Sequence, residues 1–113
     1  MCNCRCNNTH RVLTVTYTAD TNITLTLTNS TDIGNKQPFN IAVYKPISSL
    51  VTGAPVPVVA NINGVATVSL RDRLGLPLMS NRVPRGVTCG TYVVDDSGET
   101  PDIYVILKTP CYA

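Results

Sequence analysis

Two runs of strict alternation near the start of the chain constrain its fold more than any other feature. Leu13, Val15 and Tyr17 alternate with Thr14, Thr16 and Thr18; Ile23, Leu25 and Leu27 then alternate with Thr24, Thr26 and Thr28. A period of two places apolar side chains on one face of a strand and threonines on the other. Threonine is β-branched, so it suits a pleated surface while tolerating water. Between the runs, Ala19-Asp20-Thr21-Asn22 is short and polar, which makes the pair a β-hairpin with strands at 11–18 and 22–29.

The remaining chain continues in the same style. Phe39 to Tyr44 forms a third strand with Phe39, Ile41 and Val43 on one face, closed by Pro46. Val59 to Leu70 is a second hairpin. Its Asn63-Gly64 is the strongest turn signal in the chain, because a type I′ turn needs positive φ at both central residues. Thr91–Val94 and Ile103–Leu107 complete seven strands, the last a continuous apolar run suited to a central position. Seven short strands, turn signals between them and no convincing helix predict an antiparallel immunoglobulin-like β-sandwich. The predicted core is Leu13, Val15, Tyr17, Ile23, Leu25, Leu27, Ile41, Val43, Val68, Leu70, Val93, Tyr104 and Ile106. The sandwich is expected to span 11–113, preceded by a Cys-rich arm at 1–10.

Composition excludes several roles. With 113 residues and a net charge of +2, the chain is one domain without the basic surface that nucleic acid or an anionic membrane requires. Five Tyr, one Phe and no Trp make a poor stacking platform for single strands or sugars. No apolar run approaches the roughly 18 residues that span a bilayer. Met1-Cys2-Asn3-Cys4-Arg5-Cys6 lacks the hydrophobic stretch of a signal peptide, so synthesis in the cytoplasm is expected. Charged residues are 14 % of the chain, against about 25 % in an average soluble domain, with Thr, Asn and Ser in their place.

Four groups of residues carry candidate chemistry. Cys2, Cys4 and Cys6 form C-x-C-x-C, with His10 close by. Soft donors so close together suit a metal such as zinc. In an extended strand, however, they stand about 7 Å apart, too far for one tetrahedral ion unless the segment curls. Cys89 and Cys111 complete five cysteines, an odd number that leaves at least one outside any set of intrachain disulfides. Metal, disulfide and plain thiol remain open readings, and no metal site or cofactor is assigned. His10 reads as an exposed terminal histidine rather than half of a Cys–His nucleophilic pair. It has no Gly-rich turn near it to supply an oxyanion hole.

Asp95, Asp96, Glu99 and Asp102 cluster between the last two strands and read as a solvated turn rather than a calcium loop. Arg71, Arg73, Arg82 and Arg85 cluster in the long segment from Arg71 to Gly90. Loops that long in a compact domain are usually functional or disordered. These arginines, with Leu76 and Met79 and their neighbours Leu74 and Leu78, are the candidate partner-binding set. In immunoglobulin-like order the acidic and basic loops fall at opposite ends.

Ile62-Asn63-Gly64-Val65-Ala66-Thr67-Val68-Ser69-Leu70, followed by Gly90-Thr91-Tyr92-Val93-Val94, resembles the NG-x-A-x-V-x-L … G-x-Y-x-V signature of bacterial and phage immunoglobulin-like modules. The signature covers about a quarter of the chain. In architecture, composition and its Cys- and Asn-rich start, the chain resembles small virion proteins of tailed phages, of the head-fibre or decoration type of crAss-like phages. The resemblance implies a non-enzymatic structural protein of the virion, bound to capsid or fibre subunits and oligomeric. A carbohydrate-binding or adhesion module is the alternative.

Overall fold

A computed structural model describes residues 9–28, 33–44, 47, 50–83 and 85–107. Seven strands follow one another: β1 (Thr9–Thr18), β2 (Asn22–Leu27), β3 (Pro38–Val43), β4 (Val58–Ile62), β5 (Val65–Arg71), β6 (Gly86–Asp95) and β7 (Asp102–Leu107). They do not form a sandwich. They close into one barrel in the order β1-β2-β4-β5-β7-β6-β3, and β3 returns to β1. Four neighbouring pairs are antiparallel, and β2/β4, β5/β7 and β1/β3 are parallel. The immunoglobulin-like expectation fails here for a physical reason. Alternation tells which face of a strand is inward, and a sandwich and a barrel each have one inward face. What separates them is the three parallel contacts between strands distant in sequence, which no local signal encodes. Among the described residues, closure gives every strand two neighbours.

Both predicted hairpins form. Thr14 pairs with Thr26, Thr16 with Thr24 and Tyr17 with Ile23. Asn63 and Gly64 have φ of 54° and 77°, the positive pair of a type I′ turn, and Ile62 pairs with Val65 across them. Ile23, Leu25, Phe39, Ile41, Val58, Ile62, Val68, Leu70 and Val105 fill the barrel at 2 % exposure or less, so the core is the barrel lumen.

Four predicted core residues lie elsewhere. Leu13 is 48 % exposed, because a bulge between Val12 and Thr14 inserts it as an extra residue and hands the inward position to Val12. Val93, Tyr104 and Ile106 are half-buried and point outward, while Tyr92, Val105 and Leu107 face the lumen. In β6 and β7 both faces carry apolar residues, so composition does not choose between the two parities. Val15 and Tyr17 are only half-buried, though they do pack on the core.

Gly90 lies between Phe39 of β3 and Leu107 of β7 in the register. A Cβ there would come within 2.8 Å of Val105 Cγ1 and 3.0 Å of Leu107 Cδ2. A Cβ at this position forces the Val105 or Leu107 side chain to shift.

Candidate docking end of the barrel

Strand direction assigns every loop to an end. β1, β3, β5 and β7 run one way, and β2, β4 and β6 the other. One end therefore carries the β1–β2 turn, the β3–β4 connection and the segment 72–85. The opposite end carries the Asn63-Gly64 turn and the acidic loop 96–101. Strand direction thus puts the loops 72–85 and 96–101 at opposite ends, but the expected separation of the two charge clusters fails at Arg71, which pairs with Asp102.

Segment 72–85 is ordered by its own hydrogen bonds. Leu78 wedges between β5 and β4: its N–H donates to Leu70 O and its carbonyl accepts from Val58 N, both at 2.9 Å. Ser80 N donates to Val56 O at 2.8 Å, and Ser80 Oγ accepts from Val56 N at 3.1 Å. Leu78 is buried, and Met79 is half-buried in a bridge to Pro57. These two residues fasten the segment to the barrel.

From that base a tight turn projects. Arg71 and Pro77 form an antiparallel bridge, and Asp72 N donates to Leu76 O at 2.9 Å. The Asp72 carboxylate accepts from the N–H groups of Leu74 and Leu76, at 2.9 and 3.0 Å, and Gly75 supplies the positive φ of 84°. Every element of this turn is locally satisfied without a leucine, yet Leu74 is 78 % and Leu76 58 % exposed. The turn is a preorganised apolar knob. Tyr44 and Leu50, on the β3–β4 connection at the same end, are also exposed. Arg73, Arg82 and Arg85 are exposed around this end, Arg82 closing a short 3₁₀ helix at Ser80–Arg82.

Arg71 does not join them. Its guanidinium lies 4.0 Å from the centre of the Tyr104 ring and pairs with Asp102 at 2.9 Å, along the outer wall. It ties the strand that leads into the basic loop to the strand that follows the acidic one. Asp95 accepts from the side-chain and backbone donors of Ser97, which holds its carboxyl below the ordinary aspartate value. The acidic loop is therefore a self-capped turn.

Cys2, Cys4 and Cys6 lie outside the described residues. His10, expected to be exposed, is 3 % exposed in β1; its ring meets Phe39 edge-on at 5.9 Å and its Nδ1 bonds the carbonyl of Thr28. Among the described residues no three His, Cys, Asp or Glu side chains gather to hold a metal, and no helix is long and apolar enough to cross a membrane. Sequence reasoning missed Asp72 as the organiser of the knob. The signal was available: Asp-x-x-Gly is a common turn frame. Comparison with known proteins found no match: no family model, no curated protein and no solved structure.

Proposed function

We infer that this protein is a non-enzymatic structural component that attaches to a larger protein assembly through its knob-bearing end. A virion decoration or head-fibre subunit is the form of that reading suggested by the sequence resemblance. One observation carries it: two strongly exposed leucines on a turn rigidified by the Asp72 carboxylate. Burying a leucine side chain is worth about 1.5–3 kcal/mol. An exposed ion pair is worth only about 0.2–1 kcal/mol. Leu74 and Leu76 therefore supply most of the affinity, and Arg73, Arg82 and Arg85 set orientation and on-rate toward an acidic rim. Preorganisation lowers the ordering cost of docking.

A sugar-binding role has less support. Tyr44 is the one strongly exposed aromatic among the described residues, and a single ring is not a stacking platform. The test is purification of particles carrying the wild-type chain or the Leu74→Ser/Leu76→Ser double variant. The expected result is a fixed copy number for the wild type and loss of the variant from the particle while it remains folded. Equal incorporation of the two chains would remove the knob from the mechanism.

A further inference from the structure

The two ends of the barrel are complementary in charge. At the knob end Arg73, Arg82 and Arg85 are exposed, and among the described residues Asp20, in the β1–β2 turn, is the one exposed acid against them. The Asp72 carboxylate is already taken by the N–H groups of Leu74 and Leu76. At the other end Asp96 and Glu99 are exposed and Asp95 is half-buried; Lys36, on the β2–β3 connection, is the one exposed cation there among the described residues. Hydrogen bonds from Ser97 favour the charged form of Asp95. Asp102 does not count with these acids, because Arg71 occupies it. Among the described residues, neither the three arginines nor the three acids form an ion pair.

The apolar surfaces follow the charges. Leu74 and Leu76 project from the same segment as the three arginines. Beside the acidic loop, Val94 near the end of β6 pairs with Ile103 near the start of β7, and Val65 begins β5, the strand next to β7. All three are half-buried and pack on the core. Their exposed parts form an apolar floor bordered by Asp95, Asp96 and Glu99.

We propose that the knob end docks on the acidic end of a second copy of this chain, an inference that rests on reading the knob end as the attachment surface and names its partner. Leu74 and Leu76 of one copy settle on Val65, Val94 and Ile103 of the next, and Arg73, Arg82 and Arg85 face Asp95, Asp96 and Glu99. An isologous knob-to-knob contact would set three arginines against three arginines, and like charges oppose docking. The head-to-tail contact is heterologous. Each pair keeps one free knob and one free acidic end, and because these lie at opposite ends of the barrel the contact propagates as a stack.

The test is sedimentation velocity of the full chain, purified reduced, over a concentration series at low and high ionic strength. The expected result is a mass that rises with concentration, less steeply in high salt. Leu74→Ser/Leu76→Ser should weaken the association by about tenfold or more, as loss of buried leucine surface requires. Arg82→Glu/Arg85→Glu reverses the charge of the knob end, and Asp96→Lys/Glu99→Lys that of the acidic end. All four side chains are exposed, so both variants should fold, which circular dichroism checks. Each alone should stay monomeric where the wild type associates. Mixed in equal amounts they should associate again, because every knob then meets an end of opposite charge. A wild-type chain monomeric throughout overturns the proposal; if Leu74→Ser/Leu76→Ser is still lost from particles, the attachment reading outlives it. Wild-type association by Asp96→Lys/Glu99→Lys alone also overturns it, since knob-to-knob pairing gives that result. So does a mixture no more associated than its two components.

Discussion

Replacing Gly90 by alanine tests the barrel's closure at its tightest point. The added Cβ would sit 2.8 Å from Val105 Cγ1 and 3.0 Å from Leu107 Cδ2, where carbon atoms prefer about 3.5–4.0 Å. Leu107 can turn its terminal methyl away. Val105 is β-branched, fully buried and stiff at χ1, so it cannot. Overpacking of this kind costs about 1–3 kcal/mol. Loss of glycine's freedom in the unfolded chain returns about 0.4–1 kcal/mol. The net destabilisation should be about 1–2 kcal/mol. For 113 residues, an unfolding entropy of about 2.1 cal/mol/K per residue converts this to a fall in Tm of roughly 4–8 °C. Val105→Ala alone should also destabilise, by opening a cavity. In the Gly90→Ala background, however, it removes the obstructing methyl, so the double variant should be no less stable than Val105→Ala alone. Denaturant melts of the four proteins give the coupling directly. Additivity within about 0.5 kcal/mol, the behaviour of independent sites, would refute the packing described for β6 and β7.

Three further outcomes follow from other parts of the molecule. Gly64→Val should destabilise by about 1 kcal/mol or more, since a β-branched residue at φ 77° is strained; an unchanged denaturant midpoint would count against the turn. Arg82→Glu with Arg85→Glu should slow attachment to the assembly at low ionic strength and flatten its salt dependence, leaving stability within about 0.5 kcal/mol; wild-type kinetics would dismiss these arginines from docking. Asp95 should titrate below the ordinary aspartate value by NMR, because its Ser97 bonds favour the charged form. With the folded value depressed, its small contribution to stability is present above the unfolded pKa and is lost as pH falls through the folded one; Ser97→Ala should bring the titration back up.

Local features of this fold were legible wherever one residue type has one physical reason to be where it is. Asn63-Gly64 announced its turn because few other residues accept positive φ. The threonines of β1 and β2 announced their outward face: Thr14 and Thr16 are exposed, Thr24 and Thr26 half-buried. The bulge at Leu13 was hidden because apolar residues precede and follow it, so Val12-Leu13 reads equally well with either one inward. His10 was misplaced by the habit of treating a chain end as exposed. It is held inside because Thr9 to Arg11 pair with β3 and close the barrel.

The same closure limits where a partner can reach the described barrel. A seven-stranded barrel without edges has no spare strand with which to recruit a partner by pairing. Contact must come from what projects at an end or lies on the outside. At one end that is the Asp72 knob, whose leucines contribute nothing to the lumen. On the outer wall it is the Asn40–Cys89 pair, buried although it faces away from the core, beside the exposed Thr9. Leu78, one residue beyond Pro77 at the knob's base, ties the knob to β4 and β5, while Gly90, next to Cys89, lets Phe39 and Val105 pack under the pair. In both places the residue that looks functional is held by an adjacent one whose role is packing, which is why charge and exposure patterns in the sequence marked the neighbourhood but not the residue.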